Sequence, residues 1–225
     1  PDASTAAPGC PWRTLAGFPD LARRHRLSPS RDPHLLESVA HGTPQARYDI
    51  LFAFPGDSLV LESSGTLRHN GAPIAGDFLA TFDATWRAAS VSEQTELPFP
   101  FHGGWFVFLS YELARFLEPT LAIMPPGNDW PVAVVTRFPA AVIRDHATRT
   151  TLLVSESSND NTLNQMEQDL RRAEGGAGDP GMPVSAAEIE EEDPVLYRQH
   201  IARILDYIRA GDTYQVNLSR VWRLR

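Results

Sequence analysis

Hydrophobic and polar positions follow three rhythms along this chain, and each predicts a different kind of element. Helical spacing comes first as a short candidate near "FPDLARRH", residues 18–25. It then shows in "AGDFLATFDATWRAAS", where Phe78, Leu79, Phe82 and Trp86 share one face and Asp77 is placed to cap the N-terminus. β-rich segments occupy residues 47–55 and 57–73, divided by Pro55-Gly56, with "HNG" as a turn signal, and predict a meander of antiparallel strands. In residues 101–119, Gly103-Gly104 precede the uninterrupted apolar run "WFVFL", which suits a strand covered on both faces, followed by a short helix that Pro119 stops. Residues 131–157 predict a hairpin connected through "RDHATR".

The rhythm changes after residue 156. "NTLNQMEQDLRRAE" predicts a polar amphipathic helix, and residues 175–193 read as a flexible linker ending in a solvated acidic run. A last helix starts with Asp193 as N-cap and Pro194 in the first turn, buries Ile201, Ile204, Leu205 and Ile208, and stops at Gly211. A strand is expected next. Tyr214, Val216, Leu218 and Trp222 alternate with Gln215, Asn217 and Ser219, so its polar face meets either water or a polar ligand.

Composition narrows the function classes. The chain has 225 residues, 42% hydrophobic and 21% charged, which is enough for a sizeable globular core. A net charge of -8 gives no basic footprint for nucleic acid and no polybasic membrane anchor. No apolar run is long enough to span a bilayer and no signal peptide is visible, so a cytoplasmic setting is expected, while Pro1 suggests a trimmed start. The single cysteine, Cys10, is expected as a free thiol in a loose N-terminal arm. His34, His41, His69, His102 and His146 lack metal-ligand spacing and are expected in surface or capping roles. Phe99, Phe101, Trp105, Phe106 and Phe108 are expected in a core, because no basic residues interleave with them as in a nucleic-acid platform.

Four stretches carry a family resemblance. "YIRAGDTYQVNLSR", residues 207–220, resembles the opening signature of the chorismate-binding domain of anthranilate synthase component I, aminodeoxychorismate synthase component I, and the isochorismate and salicylate synthases. "HLLES" and "RYDILFAFP" resemble a segment that builds an amino-acid pocket in the first two enzymes, and "FHGGWFVFLSYELARFLEP" resembles their Gly-Gly element. All four occur in family order.

The resemblance implies an α+β fold, an anthranilate synthase-like sandwich of antiparallel sheets with outer helices, truncated. Residues 1–190 would be the N-terminal lobe and 191–225 the start of an incomplete chorismate-binding domain. It implies chorismate as substrate, a glutamine amidotransferase subunit supplying ammonia, and Mg²⁺ as cofactor, with ligands in the family's C-terminal part and none in this chain. Gln215 and Asn217 would border the substrate, and Gln215 stands where water-adding relatives carry a lysine base. A carboxamide has no proton-accepting state near neutral pH, so addition of ammonia is favoured over addition of water. "RYD" and "YQVNL" resemble aminodeoxychorismate synthase more than anthranilate synthase, which implies production of 4-amino-4-deoxychorismate for para-aminobenzoate and folate. Leu36, Glu37, Ser38, Tyr48 and Asp49 match positions of a tryptophan pocket, while Tyr111 and Glu112 are read as structural. The chain alone is expected to lack turnover, and an amino-acid-binding module without catalysis is the alternative.

Overall fold

The computed structural model describes residues 10–38, 46–90, 98–118, 120, 129–156, 160–174 and 188–224. In chain order these begin with β1 (Trp12–Ala16), α1 (Leu21–Leu27), β2 (His34–Leu36), β3 (Tyr48–Ala53), β4 (Ser58–Leu61), β5 (Leu67–His69), β6 (Ala72–Ile74) and α2 (Phe78–Ala88). Next come β7 (Gly104–Leu109), a 3₁₀ turn (Tyr111–Leu113), α3 (Ala114–Leu117), β8 (Ala133–Phe138), β9 (Ala140–Asp145), β10 (Thr150–Ser155) and α4 (Asp160–Glu174). The last elements are β11 (Ile189–Glu191), α5 (Pro194–Ala210) and β12 (Trp222–Leu224). The fold is α+β, as expected. It forms two compact units, residues 1–177 and 178–225.

The first unit contains two antiparallel five-stranded sheets, ordered β1-β10-β9-β3-β2 and β6-β5-β4-β8-β7. In the first sheet, Leu51 and Ala53 of β3, Val142 of β9 and Leu153 of β10 join Leu21 of α1 and Leu163, Met166 and Leu170 of α4 in one core. The alternate residues Ala141, Ile143 and Val154 pack on the other face with Phe99. Both faces of these central strands are apolar, which explains why their sequence does not alternate. In the second sheet, Leu59, Leu61 and Val135 pack with Phe78 of α2 and Leu113. Asp77 caps α2 by accepting from Ala80 N–H at 2.9 Å.

Several expectations change at this level. The segment 47–73 is not one meander, because β3 pairs with β9 and β4 with β8 in the other sheet. Pro55-Gly56 redirects the chain between sheets, while β4, β5 and β6 do form the meander. The β5–β6 turn at Asn70-Gly71 has φ of 50° and 82°, the left-handed pair that an Asn-Gly turn supplies. Likewise, residues 131–157 make three strands. Pro139 lies between β8 and β9 and lacks a ladder N–H, so the chain changes sheets there and only β9 and β10 form the expected hairpin.

The run after Gly103-Gly104 is an edge strand, with Val107, Phe108 and Leu109 all exposed, so it is not covered on both faces among the described residues. Pro119 lies outside them. Cys10 is buried at 3% exposure, its thiol 3.8 Å from the His102 carbonyl oxygen, so it is not in a loose arm. Burial pushes that thiol's pKa up.

In the second unit, α5 has the expected ends, with Asp193 accepting from Val195 N–H at 2.8 Å and Gly211 left-handed at the C-cap. Its apolar stripe is not buried: Ile201, Leu205 and Ile208 are exposed and Ile204 is intermediate. The two-stranded β11–β12 sheet is the other described element of that unit and is too small to cover a four-turn helix. Part of the acidic run is β11, which pairs with β12. Residues 214–221 are not a strand, since they join no ladder among the described residues; only the end of the expected strand, at Trp222, does so.

Candidate amino-acid site at the start of β3

Two short charged sequences face each other at one end of the first sheet. "RYD", residues 47–49, runs antiparallel to "RDH", residues 144–146, with Asp49 opposite Arg144 and Tyr48 opposite Asp145. Arg47 therefore reaches Asp145 at 2.7 Å and Arg144 reaches Asp49 at 2.6 Å. Opposite charges placed across a ladder support the register.

Asp49 is fully buried. Its Oδ1 accepts from Ser38 N–H at 3.0 Å, while Oδ2 accepts from Arg144 Nε at 3.0 Å and lies 2.7 Å from His146 Nε2. Burial would raise the Asp49 pKa, but the Ser38 N–H, His146 and Arg144 outweigh it and hold the carboxyl below its ordinary value. Arg144 Nη2 also donates to Glu37 Oε1 at 2.8 Å, and Nη1 donates to the Pro19 carbonyl at 3.0 Å. Its guanidinium lies 4.8 Å from the Phe18 ring centroid, and that ring meets His146 edge-on at 5.0 Å. Glu37 is the exposed carboxylate of this set, its side chain 43% accessible.

The structure brings Glu37, Ser38 and Asp49 together. Leu36 and Tyr48 fall on the other face of the sheet, because Leu36 pairs with Ile50 and Tyr48 alternates with Asp49. Tyr48 is half-buried beneath the Arg47 guanidinium at 4.7 Å, and Leu36 is exposed. Gln215 and Asn217 belong to the second unit, where both are exposed and Gln215 Nε2 donates to Asn217 Oδ1 at 3.4 Å.

Arg144, His146 and Phe18 are the members that sequence reasoning missed. The available signal was the mirrored charge order of "RYD" and "RDH". His146 is thus no mere cap, and His34 is no surface residue: it stacks on Phe106 at 4.0 Å and meets Phe138 edge-on, joining the two sheets. Burial lowers the His34 pKa. His69 is 3.6 Å from Asp57, and His41 lies outside the described residues. Among the expected core aromatics, Phe108 is exposed and the other four are buried or half-buried.

A second charged group ties α1 to α4. Arg24 lies 2.6 Å from Asp32 and 3.2 Å from Asp169, all three buried. Burial raises the Asp32 pKa to about 6 despite Arg24, and Asp169 adds to the rise. Among the described residues no group of three or more His, Cys, Asp or Glu side chains could hold a metal ion. No described helix is long and apolar enough to cross a membrane.

With two antiparallel sheets, outer helices and a charged site beside β3 in place, the chain belongs to a family of chorismate-utilising enzymes. The family model, described as chorismate binding enzyme, matches residues 41–225 and so reaches into both compact units. Anthranilate synthase component 1 of Streptomyces coelicolor is 31% identical over 98% of this chain and 48% of its own length. Aminodeoxychorismate synthase component 1 of Bacillus subtilis is 27% identical over 88% of this chain and 44% of its own length. The crystal structure of anthranilate synthase component I from Streptococcus pneumoniae TIGR4 superimposes with a TM-score of 0.53 at 21% identity, covering 78% of this chain and 41% of that one. That likeness shows the anthranilate synthase-like fold. The chain spans about half the length of the curated relatives it matches.

Proposed function

We propose that this chain is the N-terminal part of aminodeoxychorismate synthase component I, which converts chorismate and ammonia to 4-amino-4-deoxychorismate for para-aminobenzoate and folate synthesis. Gln215, a carboxamide in a signature where water-adding relatives place a lysine, carries the choice of ammonia over water, and "RYD" and "YQVNL", which resemble aminodeoxychorismate synthase, favour that enzyme among the ammonia-using branches. A neutral amide can orient a substrate by hydrogen bonds but cannot deprotonate water. The remaining catalytic groups belong to residues outside this chain, which alone has no turnover. A glutamine amidotransferase subunit supplies the ammonia, in a cytoplasmic setting. Mg²⁺ belongs to the same proposal, with ligands in the family's C-terminal part and none in this chain.

The Glu37–Ser38 edge is the proposed tryptophan pocket. Glu37 offers an exposed carboxylate to an α-ammonium, and Ser38 is fixed beside it by its N–H bond to Asp49. Leu36 and Tyr48, which the resemblance also matches to the pocket, serve the opposite sheet face and do not line this edge.

A second reading, anthranilate synthase component I in tryptophan synthesis, is favoured by the 31% identity to the Streptomyces coelicolor enzyme over nearly the whole chain. Chromatography of the products made from chorismate, ammonium and Mg²⁺ by a full-length protein carrying these residues separates the two. 4-Amino-4-deoxychorismate supports the first reading and anthranilate the second. Isochorismate would overturn both.

A further inference from the structure

We infer that Arg144 is a positioning residue that sets the Glu37–Ser38 edge for ligand, acting through Glu37 and Asp49 rather than touching the ligand. This rests on the reading of that edge as an ammonium-receiving pocket wall.

All three guanidinium nitrogens of Arg144 point at protein acceptors: Nε at Asp49, Nη1 at the Pro19 carbonyl, and Nη2 at both Asp49 and Glu37. Its side chain is only 12% exposed. An arginine so engaged is a poor receptor for a ligand carboxylate, since capturing one would mean giving up bonds to groups that stay in place. Its fork instead joins three stretches of chain: the turn before α1 through Pro19 and Phe18, the start of β3 through Asp49, and the end of β2 through Glu37.

The link to Ser38 is indirect. Arg144 fixes the Asp49 carboxylate, whose other oxygen accepts the Ser38 N–H. One planar cation therefore determines both where Glu37 presents its carboxylate and how Ser38 is held. Lysine keeps the charge but is a single ammonium on a flexible stem, so it cannot reproduce the fork toward Asp49, Glu37 and Pro19 together. Phe18 supports the guanidinium from one side, and His146 supports both the Phe18 ring and Asp49.

The test uses a full-length protein carrying these residues with Arg144→Lys, Glu37→Gln and the double variant, read by amide hydrogen exchange and by calorimetric titration with tryptophan. In Arg144→Lys, Ser38 N–H exchange is expected to rise about tenfold, the scale of one lost charge-assisted bond. Exchange at Leu51 and Val142, in the middle of the β3–β9 ladder, stays near wild type. Tryptophan affinity falls by a similar factor, and adding Glu37→Gln to Arg144→Lys costs less than Glu37→Gln alone. A uniform rise in exchange at all three amides would mean that the lysine loosens the whole sheet. The milder Phe18→Leu is then judged by the same criteria, with a smaller rise at Ser38 expected. Unchanged Ser38 exchange with unchanged tryptophan affinity overturns the positioning role alone. A full-length protein with the wild-type residues that binds no tryptophan removes the pocket reading instead, and Ser38 exchange still decides whether Arg144 holds this edge.

Discussion

Arg144 and Asp49 sit opposite each other on β9 and β3, their charged atoms 2.6 Å apart around a carboxylate with no solvent exposure. Removing Arg144 takes the guanidinium from a buried carboxylate and leaves it only the Ser38 N–H and His146. Arg144→Ala is therefore expected to cost about 3–5 kcal/mol in urea unfolding. In the mirrored pair Asp145 is also buried, but the Arg47 side chain is 42% exposed, so water reaches that carboxylate once Arg47 is removed. Arg47→Ala should cost clearly less; equal losses would show that burial does not distinguish the two pairs.

The acidic groups predict opposing pH responses. Asp145 is held at about 2, first by the Arg47 hydrogen bonds, and Asp49 is also depressed, so both contribute stability above the ordinary carboxylate value that is lost as pH falls. Asp32 has the reverse sign. Its folded pKa of about 6 lies above the ordinary 3.8, so the folded state binds the proton more tightly and loses stability as pH rises from about 4 to about 6. Asp32→Asn removes that slope. Unfolding free energies from pH 4 to 7 should show the variant gaining on the wild type across that window, and parallel curves would refute the assignment.

Gly103 has φ of 113°, and a Cβ there would fall inside the Glu156 carboxyl group, which pairs with Arg137. Gly103→Ala meets both backbone strain and this overlap, and a loss of several kcal/mol is expected, about 1–3 from the backbone alone. In a Glu156→Ala background, where the overlap and the Arg137 pair are both absent, Gly103→Ala should cost only the strain. No further loss relative to Glu156→Ala alone in thermal unfolding would show that the backbone conformation costs nothing.

The β7 edge predicts association. Val107, Phe108 and Leu109 are exposed on a strand at the sheet margin, a template for pairing with another chain. Sedimentation should show concentration-dependent association of this chain, reduced by Phe108→Lys. A monomer at all concentrations, identical to the variant, would contradict it.

Local signals explain what was legible in the sequence. Asp77, Asn70-Gly71, Asp193 and Gly211 each determine an element end through their own chemistry, and all four appear as expected. Long-range choices were less visible. Pro55-Gly56 and Pro139 looked like a strand break and a strand residue, but together they move β4 and β8 to a second sheet, which depends on partners rather than on local propensity. The α5 stripe has the right period, yet period alone does not supply a covering surface. At the site, Glu37, Ser38 and Asp49 are legible through resemblance, whereas Arg144 lies in a hairpin connection that carries no site signal and His146 is expected only in a surface or capping role. Their role becomes visible only when the β3–β9 register sets "RDH" against "RYD".

The most direct test of the account is to give a full-length protein carrying these residues chorismate and Mg²⁺ together with isotopically labelled ammonium in heavy-oxygen water, and to weigh the ring product. With Gln215 in the place of a lysine base, the new substituent is expected to carry the ammonium label. A product whose new ring substituent is the heavy oxygen, with no label from ammonium, would contradict it.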